Sequence, residues 1–282
     1  MATYSFSQVD VFGSRALAGN PVAVVHDATG LDDDQLAAFA RWTNLSETTF
    51  LLPPQDPGAD YRVRIFTPGE ELPFAGHPTL GSAHAWLEAG GVAASADRVV
   101  QECGVGLVEL RRDEDTLAFR APDFLRTGPV DEETLGRVVG ALGIEGPQLL
   151  DAWWIDNGPG WLGLELDSAS TVLSLRPAFA ALHVNCGVIG PMAPAERDAT
   201  GADVEVRAFC PGLGVNEDPV TGSLNAGFAV WLGRDGRLPP SYVARQGTRL
   251  ERDGRVHIHT DEAGDVWVGG TSRTLVRGSL EL

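Results

Sequence analysis

The sequence predicts an α+β fold of two similar halves, each a curled sheet wrapped around one central helix. Three observations carry this expectation. The first is an internal duplication. Val63-Arg64-Ile65-Phe66-Thr67-Pro68-Gly69 is followed by His77-Pro78-Thr79-Leu80-Gly81-Ser82-Ala83-His84-Ala85; Val206-Arg207-Ala208-Phe209-Cys210-Pro211-Gly212 is followed by Asp218-Pro219-Val220-Thr221-Gly222-Ser223-Leu224-Asn225-Ala226. Both read V-R-x-F-x-P-G and then [His/Asp]-P-x-x-G-S-x-x-A. Arg207 lies 143 residues beyond Arg64 and Asp218 lies 141 beyond His77, half of a 282-residue chain. The second observation is the character of the helices expected over 78–89 and 219–232. They carry Gly, Ser and Ala on most faces and end in Trp86-Leu87 and Trp231-Leu232, and a helix that is small and apolar all round is one enclosed by other elements. The third is punctuation: 34 glycines and 18 prolines, spread along the chain, mark many short turns.

Taken in order, residues 4–12 alternate as a strand, and Gly19-Asn20-Pro21 turns the chain into the apolar strand Val22-Ala23-Val24-Val25. Asp32-Asp33-Asp34 opens a helix of 33–42, where acids suit the positive end of the dipole. Asn44-Leu45-Ser46-Glu47-Thr48-Thr49-Phe50 leads into a strand over 49–53, and Pro53-Pro54-Gln55-Asp56-Pro57-Gly58 is a surface loop. In each duplicated unit V-R-x-F is a short strand, Pro-Gly a turn, and Pro78 or Pro219 suits the first turn of the helix that follows. Residues 91–126 read as paired strands with turns at Gly104 and Asp113-Glu114-Asp115. Thr127-Gly128-Pro129 is the expected domain boundary, dividing 1–126 from 127–282, with the last strand a candidate to return to the first domain. A helix over 131–142, strands at 150–156 and 161–166 about the turn Asp156-Asn157-Gly158-Pro159-Gly160, a helix over 168–181, a strand at 182–189 and strands within 241–281 complete the chain.

Composition narrows function. The net charge is −18, from 21 basic and 39 acidic residues, which argues against a nucleic-acid surface. Every basic residue is arginine. Without lysine there is no Schiff base for pyridoxal phosphate or for a lysine-dependent aldolase, and no P-loop. No run approaches the ~20 apolar residues that span a bilayer. The amino-terminal residues lack the basic and apolar regions of a signal peptide, so a cytoplasmic protein is expected. Cys103, Cys186 and Cys210 are too scattered for a metal pair or a disulfide framework and read as small buried hydrophobes. His257-x-His259 shares one strand face without further ligands at suitable spacing, so no metal is expected.

If the two halves face each other, their central helices meet at a cleft by their N-termini, whose unpaired N–H groups favour a carboxylate or phosphate. The residues at the two mouths differ: His77 in one, Asp218 in the other. His77 reads equally as a core histidine or helix cap, and Asp218 as a cap. Ser223 has no evident His-Asp partner, which disfavours a hydrolase. Trp153, Trp154 and Trp161 around Asn157-Gly158-Pro159 are either a stacking surface for a ring substrate or core residues.

Tyr4-x4-Val9-Asp10-Val11-Phe12, Gly19-Asn20-Pro21, Asn44-Leu45-Ser46-Glu47-Thr48, Phe66-Thr67-Pro68, Glu71-Leu72-Pro73-Phe74-Ala75-Gly76-His77-Pro78-Thr79 and Glu217-Asp218-Pro219-Val220-Thr221-Gly222-Ser223 together resemble the phenazine-biosynthesis isomerase (PhzF) family, in the family's order over residues 4 to 225. The resemblance implies the diaminopimelate-epimerase fold, with a cofactor-free site between two similar domains. In the epimerase the helix mouths carry paired cysteines; here His77 and Asp218 stand there, which disfavours thiol-based racemisation. The resemblance further implies that Glu47, at a loop-to-strand entry, shuttles a proton, a role that suits a carboxyl raised toward ~6–7 by an apolar pocket. His77 and Asp218 then complete the catalytic set, and Ser46, Gly76, Gly222 and Ser223 bind substrate. The expected function is a cofactor-independent isomerase moving a proton and a double bond in a small, cyclic, amino-type carboxylic acid; the family's best-known substrate is a dihydro-hydroxyanthranilate on the path to phenazines. A homodimer is implied as well. The rival expectations are a two-base epimerase or racemase using His77 and Asp218, and a small-acid binding protein without turnover.

Overall fold

The alternating strands of the amino-terminal half close on themselves. The computed structural model describes residues 2–113, 116–211 and 215–282, in two compact units: Met1–Arg120 with Gly269–Leu282, and Ala121–Val268. Glu114 and Asp115 of one expected turn, and Gly212 of the second Pro-Gly turn, lie outside the described residues. In the first unit, β1 (Thr3–Val11), β2 (Asn20–Val25), β3 (Glu47–Leu52), β4 (Tyr61–Phe66), β6 (Arg98–Cys103), β7 (Gly106–Asp113) and β8 (Thr116–Arg120) join edge to edge, with the two-residue β5 (Glu71–Leu72) as a flap on β4. The final strand β17 (Val266–Glu281) pairs with both β1 and β8 and completes an eight-stranded barrel. Closure pairs the edges that an open sheet would leave to recruit another chain.

The barrel is filled by helix α2 (Gly76–Glu88), whose residues 76–83 are all buried. Its small side chains let backbone and strand approach closely: a Cβ on Gly81 would stand 2.4 Å from Val22 Cγ1. Helix α1 (Asp33–Thr43) lies outside the barrel, with Leu36, Phe39 and Ala40 on Val25, Phe50 and Phe66. Asp32 caps it through a capping box with Gln35, as the acid run anticipates.

The second unit repeats the plan. It contains β9 (Arg126–Pro129), α3 (Glu132–Leu142), β10 (Leu149–Asp156), β11 (Leu162–Leu166), α4 (Ala169–Ser174), β12 (Cys186–Pro191), α5 (Pro194–Thr200), β13 (Val204–Cys210), β14 (Val215–Asp218), α6 (Gly222–Arg234), β15 (Ser241–Gln246) and β16 (Gly254–Thr260). The run β1-β2-β3-β4-β6-β7 is antiparallel, parallel, antiparallel, parallel, antiparallel; the run β10-β11-β12-β13-β15-β16 has the same alternation. Helix α6 takes the central place, with Gly222 to Ala229 buried, and α3 covers the outside through Val138, Ala141 and Leu142.

The V-R-x-F repeat has a physical meaning. Residues two apart in a strand share a face, so each arginine lies over the phenylalanine that follows it: Arg64 is 5.1 Å from the Phe66 ring centre and Arg207 is 4.9 Å from that of Phe209. Each guanidinium also forks onto a glutamate of the adjoining flap, Arg64 onto Glu71 and Arg207 onto Glu217.

Three local expectations need correction. The helix over 168–181 stops at Ser174, because Pro177 follows and a proline cannot continue a helix; only a turn of 3-10 helix at Phe179–Ala181 remains. The strand at 182–189 runs instead from Cys186 to Pro191. The second central helix starts at Gly222, so Pro219 precedes it, whereas Pro78 lies inside α2.

Candidate active site

In the first unit the site is assembled by three chain entries. Helix α1 ends at Asn44, which adopts the left-handed conformation (φ 53°, ψ 31°) that an asparagine tolerates. The chain passes Leu45 and Ser46 and enters β3 at Glu47. Along β3, Thr48 meets Thr43 of α1 (2.9 Å) and Phe50 packs on Phe39 and Phe66, so these point outward. The alternate positions therefore point inward: Thr49 accepts a hydrogen bond from Ser82 of α2 (2.9 Å), and Glu47, opposite Val22 in the parallel register, faces the N-terminal turn of the same helix.

His77 is the second residue of α2 and its ring is buried. Its Nε2 lies 3.3 Å from Glu47 Oε2, a close contact outside hydrogen-bond geometry. Its Nδ1 lies 3.3 Å from Asn20 Nδ2. Burial pushes the imidazole down to about 3, so the ring is neutral at physiological pH. Asn20, wholly buried, opens β2 opposite Val11. The turn before it is locked by the Asp10 carboxylate, which accepts from the N–H groups of Gly19 (2.9 Å) and Ala18 (3.2 Å). A Cβ at Gly19 would sit 2.1 Å from the Val11 carbonyl oxygen, so only glycine fits there. The sequence marks Gly19-Asn20-Pro21 as a turn and as part of the family resemblance without assigning Asn20 to the site; an asparagine at the start of an apolar strand is the signal that its amide has a partner inside.

In the second unit Asp218 ends β14 opposite Ala208. It is not a helix cap: α6 begins four residues later, with Thr221 as N-cap. Thr221 donates to Asp218 Oδ2 (2.5 Å). The buried Gln246 then ties the segment together, donating to the Asp218 carbonyl (3.1 Å) and Thr221 Oγ1 (2.9 Å) and accepting from Thr221 N–H (3.0 Å) and Asn225 Nδ2 (2.9 Å). Ser223 Oγ accepts from the Trp161 indole N–H (3.0 Å), and its carbonyl accepts from Asn157 Nδ2 (2.9 Å). An indole only donates, so the Ser223 hydroxyl keeps its own proton free to give. Trp161 is a core residue, Trp154 is buried beneath the Arg126 guanidinium at 3.5 Å, and Trp153 is tied to Thr127.

Among the described residues the helices α1, α3 and α4 are capped by the side chains of Asp32, Asp131 and Ser168, whereas neither α2 nor α6 has a side-chain cap. Gly76 and Gly222, their first residues, are both buried. Such N-termini can receive an oxyanion. No cluster of His, Cys, Asp and Glu among the described residues could hold a metal ion, and no described helix is long and apolar enough to cross a membrane.

The model of the phenazine biosynthesis-like protein family (PhzC-PhzF) matches residues 9–278. "Antisense-enhancing sequence 1" of Schizosaccharomyces pombe is 39% identical, with 99% of each chain covered. The trans-2,3-dihydro-3-hydroxyanthranilate isomerase of Pseudomonas aeruginosa is 33% identical over 97% of this chain and 98% of that one. The crystal structure of a PhzF-family phenazine biosynthesis protein from Enterococcus faecalis covers 100% of both chains at 26% identity, with a TM-score of 0.80. The chain belongs to the phenazine biosynthesis-like family and is an isomerase with a diaminopimelate-epimerase-like fold.

Proposed function

We propose that the protein moves a proton, and with it a double bond, within a small cyclic amino-type carboxylic acid, without a cofactor. Glu47 takes a proton from one carbon of the substrate, leaving a delocalised anion, and returns it to another carbon of the conjugated system on the same face. No proton is gained or lost overall. The observation that carries this reading is the position of Glu47: an inward carboxylate at the mouth of β3, 3.3 Å from a buried neutral histidine. His77 positions that carboxylate. Asp218 and Ser223 are assigned to the polar substituents of the substrate, Ser46 to an accessory contact, and the N–H groups at Gly76 and Gly222 to its carboxylate, where fixed dipoles lower the barrier as charge develops.

A two-base racemisation fits less well. It requires His77 as a base, and a ring held neutral by burial, with its nitrogens facing Asn20 and Glu47, is a weak one. Proton NMR in D2O with trans-2,3-dihydro-3-hydroxyanthranilate and related unsaturated cyclic amino acids separates the readings. A double-bond shift that disappears in Glu47→Gln is expected. Deuterium gain without a shift, persisting in Glu47→Gln, would overturn the proposal in favour of racemisation. We further assign the protein to secondary metabolism in the cytoplasm and to a homodimer; light scattering should then give twice 29.9 kDa.

A further inference from the structure

We propose that Asn20 is a positioning residue that selects the tautomer of His77, and thereby fixes which oxygen of Glu47 carries the shuttled proton; this rests on the reading of Glu47 as the acid/base. An amide nitrogen has hydrogens to give and no lone pair to offer. Because Asn20 Nδ2 faces His77 Nδ1 at 3.3 Å, that ring nitrogen accepts. The neutral ring then carries its single proton on Nε2, the nitrogen 3.3 Å from Glu47 Oε2. A neutral ring nitrogen bearing hydrogen has no lone pair with which to take a proton from Oε2.

Two consequences follow for the chemistry. Oε2 lies 3.3 Å from the ring nitrogen that carries the hydrogen, where a second proton would be crowded against it, so the proton removed from the substrate rides on Oε1. His77 also cannot drain that proton away, because its one basic nitrogen is turned toward Asn20. The proton therefore stays on Glu47 until the second carbon takes it. The Asn20 backbone is fixed in place, since the residue is wholly buried, opens β2 in register with Val11, and follows a turn locked by the Asp10 carboxylate. Aspartate at this position would reverse the polarity. Its carboxylate accepts from Nδ1–H, leaving a bare Nε2 lone pair against Glu47 Oε2.

The test begins on the unaltered protein. Nitrogen-15 NMR of histidine-labelled protein should show His77 with a bare Nδ1 and a protonated Nε2, assigned by loss of the signal in His77→Gln. A protonated Nδ1 would overturn the proposal outright. In Asn20→Asp the ring should switch to the protonated-Nδ1 or doubly protonated form, with kcat down by about 100-fold or more, the scale of a lost acid/base function, and KM little changed. A variant that folds, keeps the wild-type tautomer and loses activity would contradict the assignment, as would one that switches tautomer at full kcat. The tautomer is read without turnover, so an active Glu47→Gln would defeat the acid/base reading while leaving the tautomer result standing.

Discussion

Two buried titratable side chains carry opposite pH signatures. Glu205 is wholly buried on β13, and neither carboxylate oxygen meets a hydrogen-bond donor in good geometry. Burial pushes its carboxyl up to about 7, against opposing pulls from Thr248, Arg245 and Arg255. A carboxyl whose folded value exceeds its unfolded value contributes stability below about 4.5 that is lost as pH rises through about 7. Glu205→Gln, which cannot ionise, should gain on the wild type between pH 5 and pH 8 by up to roughly 3 kcal/mol in urea unfolding; parallel stabilities at the two pH values would refute the assignment. His77 behaves conversely. Its folded value is held down to about 3, so its contribution is complete above about 6.5 and is lost as pH falls toward 3. Proton NMR of the folded protein should accordingly show no charging of His77 above pH 4.

Arg64–Glu71 and Arg207–Glu217 are corresponding features of the two copies, but their surroundings differ. The first pair is partly exposed, at 25% and 41%, and the second is buried, at 4% and 8%. Exposed pairs contribute at most about 1 kcal/mol, whereas removing one partner of a buried pair costs about 3–5 kcal/mol. Glu71→Ala should therefore lower stability by less than about 1 kcal/mol and Glu217→Ala by several times that, and Arg207 also loses its place on the Val172 and Leu175 carbonyls if it moves. Equal losses in chemical denaturation would contradict this. For α2, Gly81→Val should cost about 1–3 kcal/mol, because even a Cβ meets Val22 at 2.4 Å. At this scale the sequence was readable where the pattern is local. The V-R-x-F strands, the capped α1 and the all-round small residues of α2 and α6 are written in neighbouring positions. Helix α5 was not: Pro-Ala-Glu-Arg-Asp-Ala-Thr is short and exposed along most of its length, with no apolar stripe to reveal it.

For the molecule as a whole, the duplication in sequence is a duplication in strand order, and the two copies have diverged where chemistry is expected. His77 sits inside the first turn of its helix, whereas Asp218 remains on a strand four residues ahead of its own. Alignment alone made them equivalent; only the backbone distinguishes a ring packed under a barrel wall from a carboxylate held by Thr221 and a glutamine-tied turn. The return of the last strand to the first barrel was expected, but its register was hidden, since pairing between residues as far apart as Thr3 and Glu281 leaves no local pattern. Asn20 was hidden as well, because its contact with His77 spans 57 positions. Glu47 and His77, by contrast, stand in recognisable motifs, and the structure brings them within 3.3 Å of each other.

The central claim is that one carboxylate, Glu47, carries a proton between two carbons. The most direct measurement is to supply a dihydro-hydroxyanthranilate deuterated at the carbon that loses its proton, in ordinary water, and follow single turnovers by deuterium NMR. Deuterium should appear in part at the new carbon of the product, with neither transfer nor double-bond shift in Glu47→Gln. If Glu47→Gln shifted the double bond at the wild-type rate, the account would be wrong.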